Sequence, residues 1–160
     1  MAVTNITAAP FTLDHPSILI GDATSGVQIE CAGTNLTAEP NTDENTTKTF
    51  CGNYTNYTTP TWTVTVTIAQ SYGAGGSWTL IEPLCGTVQP FAIKPDTATA
   101  SVDNPVMSGE AFIGYLPFID AAPGEVSEVD LVLGVQGLPD FGIVDPALAS
   151  ASSGGGGTTP

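Results

Sequence analysis

The sequence predicts a mainly β chain: antiparallel strands in a β-sandwich or partly open barrel, with one short flanking α-helix. Three observations predict it. Several stretches alternate between apolar and polar residues, the period of a strand with one dry and one wet face. Only 11% of the residues are charged, about half the usual ~25%. Thr, Ser, Gly and Asn fill the gap, which suits strands and turns better than exposed helices. Finally, 18 Gly and 13 Pro supply frequent turn signals. The 160 residues fit a single domain, long enough to bury roughly 68–70% of the unfolded surface.

The elements follow in order. Ser17-Ile18-Leu19-Ile20 is a short apolar run closed by Gly21-Asp22. Val27, Ile29 and Cys31 alternate with Gln28, Glu30 and Ala32, a strand with one dry side. Residues 37–49 (TAEPNTDENTTKT) hold no apolar residue beyond Ala38, so they predict a long polar loop without an anchor in the core. The clearest strand is Thr61 to Gln70: Trp62, Val64, Val66 and Ile68 point one way and Thr61, Thr63, Thr65 and Thr67 the other. Tyr72-Gly73-Ala74-Gly75-Gly76 breaks the chain. Ser77 then predicts the cap of a helix over Trp78–Cys85, shortened by Pro83 and ended by Gly86. Trp78, Ile81, Leu84 and Cys85 form its packing stripe. A strand follows over Thr87 to Lys94 with Val88, Phe91 and Ile93 apolar, and another around Ala111 to Leu116. The last spans Glu125 to Gln136, where Val129, Leu131, Leu133 and Val135 alternate with Glu128, Asp130, Val132 and Gly134. The sum is roughly seven strands and one helix. Residues 150–160 (SASSGGGGTTP) read as a flexible tail.

Charge and motif inventory exclude whole classes of function. Two Lys and no Arg face 16 acidic residues, for a net charge of −14. No basic patch exists to neutralise phosphates, so nucleic-acid binding is excluded, and anionic lipid surfaces are repelled. No run of about 18 apolar residues predicts a transmembrane helix. The start, Met1-Ala2-Val3-Thr4-Asn5, has no basic segment followed by an apolar one, so no signal peptide is expected and folding is expected in a cytoplasm. Cys31, Cys51 and Cys85 lie far apart and His15 is the only His, so a zinc site is not expected. Buried thiols are the favoured reading of the cysteines, with a Cys31–Cys51 bridge as the alternative. Five Asn-x-Thr triplets begin at Asn5, Asn35, Asn45, Asn53 and Asn56; without a leader they read as composition rather than glycan acceptors.

A search for chemistry finds no site. His15, in Leu13-Asp14-His15-Pro16, has no Gly-x-Ser-x-Gly elbow to serve. Gly73-Ala74-Gly75-Gly76 lacks the following Lys of a phosphate cradle. Glu128 and Asp130 share a strand face about 6–7 Å apart, but no sugar-stacking cleft accompanies them. Asn41, Asp43, Glu44 and Asn45 come nearest to a calcium loop, without its glycine. No enzyme, cofactor or metal is therefore expected.

The order of elements carries a resemblance. Val27-Gln28-Ile29-Glu30-Cys31 leads into the polar excursion, which closes on Thr49-Phe50-Cys51-Gly52 before the alternating strand 61–70. Ser77-Trp78-Thr79-Leu80, Gly86-Thr87-Val88, Ile93-Lys94-Pro95, Asn104-Pro105, Gly109-Glu110-Ala111-Phe112-Ile113 and Gly134-Val135-Gln136-Gly137 follow. Over roughly residues 15–140 this order resembles the major tail tube proteins of long, non-contractile-tailed bacteriophages, especially those of actinobacterial hosts. The resemblance implies a β-sandwich subunit over residues 17–140 with a flanking helix. Homo-hexameric rings would stack into the tube through which DNA leaves the capsid, assembled in the host cytoplasm alongside tape measure, tail terminator and distal tail proteins. Residues 1–16 and 141–160 would be arms. The segment 37–50 would be the inter-ring loop, with Glu39, Asn41, Asp43, Glu44 and Lys48 as its contact residues. Gln28, Glu30, Thr63, Thr65, Thr67, Glu128 and Asp130 would line the lumen, a wet, acidic wall that repels phosphate and lets DNA slide.

Two other readings stand beside it. One is a capsid decoration or head–tail connector protein, also β-rich and acidic. The other is a secreted carbohydrate-binding module using Trp62, Trp78, Tyr54 and Tyr57 as stacking platforms.

Overall fold

The structure is a computed structural model; it describes residues 13–144, apart from 14, 23, 31 and 43. Among them are ten strands and one short helix: β1 (Ser17–Ile20), β2 (Val27–Ile29), β3 (Gly33–Asn41), β4 (Glu44–Thr49), β5 (Gly52–Tyr57), β6 (Thr61–Ala69), α1 (Ser77–Ile81), β7 (Val88–Lys94), β8 (Val106–Ile113), β9 (Glu128–Val135) and β10 (Asp140–Gly142). Eight strands form one antiparallel sheet in the order β2-β1-β7-β8-β9-β6-β3, with β10 added to β8. β4 and β5 pair only with each other. The mainly antiparallel class with a single short helix is as the alternation predicts.

The sheet rolls around its own apolar face. β2 and β3 stand at opposite ends of the hydrogen-bonded order, yet only residues 30–32 join them. Ile29 of β2 accordingly packs in one core with Val66 of β6 and Leu131 of β9. β2 and β3 are not bonded to each other, so the barrel stays open along that seam.

Register places the inward residues opposite one another: Val64 with Leu133, Val66 with Leu131, Ile68 with Val129, Ile18 with Ile93 and Ile20 with Phe91. All are buried. Each such side chain contributes about 1.5–3 kcal/mol on leaving water. The stripe on α1 behaves as expected, with Ile81 buried and Trp78, Leu84 and Cys85 packed against the core. Burial raises the Cys85 thiol above its usual pKa. The Cys31–Cys51 alternative lies partly outside the described residues; Cys51 is exposed.

Several expectations are corrected. The helix cap is not Ser77, whose hydroxyl donates to the Ala69 carbonyl at 2.8 Å. The cap position is Gly76, and Ser71 Oγ accepts from the Ser77 N–H at 3.0 Å. The helix is also shorter than Trp78–Cys85, because Pro83 turns its last residues into a 3-10 turn over Glu82–Leu84. Gly86, at φ +77°, then reverses the chain. The strand placed around 111–116 begins earlier, at Val106, where two consecutive buried residues, Val106 and Met107, hide the alternation. Val88, one of the three apolar residues that marked β7, faces solvent at 50% exposure, unlike Phe91 and Ile93. A short strand not expected from the sequence, β10, pairs with β8 over Asp140–Gly142.

The largest correction concerns residues 37–49, expected as a loop. They are the far half of β3, paired with β6, and all of β4, paired with β5. No hydrophobic period marks them because both faces of these strands are wet. Thr-rich composition and the backbone ladder carry the structure instead. Pro40 is tolerated because β3 is an edge strand and needs no donor there.

One turn is fixed by polar contacts alone. Asp22 accepts from Ser25 Oγ at 2.6 Å and from the Thr24 and Ser25 N–H groups at 2.8 and 2.9 Å. These bonds, the serine hydroxyl's above all, hold the Asp22 carboxyl well below the ordinary carboxylate range.

Candidate assembly surfaces

The outward face of the sheet can be read rung by rung from the pairing. Asn35, Thr67 and Asp130 share one row; Thr37, Thr65 and Val132 the next; Glu39, Thr63, Gly134, Phe112 and Val88 a third. Thr67 Oγ1 donates to Asp130 Oδ1 at 2.7 Å, tying β6 to β9 on the surface. Glu128 lies opposite Ala69 with its side chain exposed. Thr63, Thr65, Thr67, Glu128 and Asp130 therefore form one contiguous polar surface, joined by Glu39 and Asn41 of β3.

Gln28 of β2 and Glu30 just after it lie across the open seam from β3, with four strands between β2 and β6 in the hydrogen-bonded order, and the Gln28 amide donates to the Glu30 carboxylate. The outward face is also not uniformly polar. Moving from β6 towards β7, Thr and Asp give way to Val132 (41% exposed), Phe112 (39%) and Val88. An exposed apolar band thus crosses the face beside the threonine rows. Alternation on single strands hid it, because Val132 sits where a polar residue belongs and Phe112 stands between the buried Ala111 and Ile113.

The second surface is the β4–β5 hairpin. Its six rungs run from Glu44–Tyr57 to Thr49–Gly52, about 20 Å of ladder at 3.3–3.4 Å per residue. Phe50 and Cys51 form the tip, Gly52 supplies the left-handed residue at φ +135°, and Thr49 Oγ1 donates to the Gly52 carbonyl at 2.7 Å. Every hairpin residue whose side chain is described is exposed, Phe50 completely and Tyr54 largely. Glu44 and Lys48 are on β4 and Glu39 and Asn41 on β3, while Asp43 lies outside the described residues. The pattern Thr-Phe-Cys-Gly, an aromatic at a turn between polar strands, was the available sign of this tip.

A third surface surrounds α1. Tyr72, Trp78 and Phe118 meet with ring centroids 5.4–6.2 Å apart. Gln70 Nε2 fixes the loop beside them by donating to the Pro117 and Phe118 carbonyls at 2.9 and 3.0 Å, and the Tyr72 hydroxyl also donates to Phe118. Phe118, Tyr115 and Ile119 remain mostly exposed. Trp62 and Trp78 pack against the core, which removes them as the sugar platforms considered above. His15 stands exposed ahead of β1. Among the described residues no three His, Cys, Asp or Glu side chains come together as a metal site, and no helix is long and apolar enough to cross a membrane.

No family model and no curated protein matches the sequence. Solved structures do. The tail of an empty GTA particle, computed with C6 symmetry, is similar at 14% identity and a TM-score of 0.49, over 78% of this chain and 93% of that one. The SPP1 tail tube, solved by solid-state NMR and cryo-electron microscopy, is similar at 17% identity and a TM-score of 0.59, over 94% of this chain and 91% of that one. The rolled antiparallel sheet with its short helix thus has a fold similar to that of the SPP1 tail tube, carried here by a sequence that shares little with it.

Proposed function

We propose that the chain is the structural subunit of a bacteriophage tail tube, a virion protein without catalytic activity. The observation that carries this reading is the match of 94% of the chain to the SPP1 tail tube. Copies close into hexameric rings, the rings stack, and the tube guides DNA during ejection. Tape measure, tail terminator and distal tail proteins are its further partners, and residues 141–160 an outer arm.

Surface physics supports the same reading. A two-stranded hairpin with no dry face is marginal in water, so the β4–β5 hairpin gains its stability from a partner, the neighbouring ring. Ring closure covers the open β3 edge, which otherwise invites aggregation. With two Lys against 16 acids, apolar and backbone contacts must drive assembly against mutual repulsion. Val132, Phe112 and Val88 and the Phe118 cluster supply such contacts. The Thr63, Thr65, Thr67, Glu128 and Asp130 surface faces the lumen, where an absence of cations keeps DNA from binding.

Negative-stain microscopy of the purified protein at high concentration tests the assembly. Six-fold rings or tubes are expected; binding only to capsid shells, or monomers retained on polysaccharide, would replace this reading with a decoration protein or a carbohydrate-binding module. The lumen assignment has its own test. Thr65→Lys with Glu128→Lys is expected to leave tubes intact and slow DNA ejection, and normal infectivity of that double variant removes it.

A further inference from the structure

Two exposed aromatic features stand at opposite ends of β6. The β4–β5 hairpin occupies the chain between Asn41 and Thr61, which pair with each other at the start of that strand. The Tyr72, Trp78 and Phe118 cluster lies past its other end, where Gln70, directly after Ala69, donates to the Phe118 carbonyl. β9 begins at that same end, with Glu128 opposite Ala69, so the loop before it shares the cluster's side of the subunit.

That loop is fixed in place while its apolar side chains stay in water. Its backbone accepts from Gln70 and Tyr72, and the Tyr115 ring lies over Gly86, where no Cβ would fit. Phe118 and Ile119 nevertheless remain 63% and 66% exposed. A contiguous apolar patch of this kind marks a contact surface. Charge says what it meets. Asp120 follows Ile119 directly and Glu82 follows α1, both exposed, with no cation on either segment. The hairpin carries Lys48, one of only two cations in the chain, two residues before the fully exposed Phe50. The other, Lys94, donates to the Ala98 carbonyl at 3.1 Å.

We propose that the hairpin tip of one copy docks on this patch of a second copy, with Phe50 against Phe118 and Ile119 and Lys48 facing Asp120. Each copy then gives a hairpin at one end and receives one at the other. Such a heterologous contact repeats as a stack rather than pairing two copies about a two-fold axis. It names the receiving surface for the ring stacking proposed above and rests on that reading.

Photo-cross-linking from the hairpin tip tests it. Phe50→p-benzoylphenylalanine keeps an aromatic at a position open to solvent. The variant is mixed with heavy-isotope-labelled wild-type chain at high concentration, imaged by negative-stain microscopy and irradiated, and the linked peptides are read by mass spectrometry. Links to labelled peptides containing residues 115–120 are expected. Rings or tubes whose links go elsewhere, or that give none, overturn the contact and leave the stacking intact. Monomers without links between copies overturn both, whereas links to 115–120 in particles without rings keep the contact and remove the tube. A second variant opposes local to overall charge. Ile119→Lys reduces the net charge of −14 by one, which through general repulsion alone would ease assembly. Facing Lys48 and Phe50 it sets a like charge in place of an apolar side chain, so the concentration needed for assembly is expected to rise about tenfold. An unchanged or lower concentration overturns the proposal.

Discussion

β6–β9 and β4–β5 are both antiparallel pairs rich in Thr, and they differ in one respect. In β6–β9 each Thr alternates with a Val, Ile or Leu that meets its cross-strand partner in the core. In β4–β5 Thr, Asn, Glu and Lys occupy both faces. The first pair is held by burial and needs nothing outside its own subunit. The second has the ladder without the burial, and a ladder exchanges water hydrogen bonds for protein ones at a net gain of only about 0.5–1.5 kcal/mol each. A strand pair that a chain builds but does not bury leaves both of its faces open to water or to a partner.

The largest effect is expected from replacing residues 42–59 with a short turn: assembly is abolished while the melting temperature of the monomer stays unchanged. Tubes of normal length from that variant, seen by electron microscopy, would show that the hairpin is not an assembly element. Leu131→Ala acts on the other pair. It empties a fully buried site between Val66 and its neighbours and should cost about 2–5 kcal/mol in urea denaturation. A loss under about 1 kcal/mol would mean that the core lies elsewhere. The smallest change is Thr67→Val, which keeps the shape and β-propensity and removes only the bond to Asp130. Because that bond is exposed, a loss of about 0.5 kcal/mol is expected, and a loss as large as that of Leu131→Ala would mean that the polar face, too, holds the subunit together.

The same contrast explains what was legible in the sequence. β6 and β9 could be read almost residue by residue, since Trp62, Val64, Val66 and Ile68, and Val129, Leu131, Leu133 and Val135, mark a dry face. β4 and the far half of β3 were invisible to that test, because a strand wet on both sides has no hydrophobic period. β8 was misplaced at its start because Val106 and Met107 are buried in succession. The candidate lumen residues divided for a topological reason. Strand alternation assigns a residue to a face, but the order of strands decides its neighbours, and four strands stand between β2 and β6 in that order. Gln28 and Glu30 thus reach the threonine rows of β6 only across the seam between β2 and β3. Asn104 gave little warning either. Its side chain holds the loop before β8 by accepting from the Asp96 N–H at 3.0 Å and donating to the Asp96 and Ala98 carbonyls at 3.1 and 2.9 Å. An Asn ahead of Pro was its only trace.

The scarcity of cations has a practical consequence at the hairpin. Trypsin cuts after Lys or Arg and passes over a bond that precedes Pro. Arg is absent and Lys94 is followed by Pro95, so the single susceptible bond in all 160 residues is Lys48–Thr49, next to the exposed tip. The protease becomes a one-site probe of that hairpin: free subunits are split into two fragments, and a preparation in which the hairpin is covered by a neighbour comes through digestion in one piece.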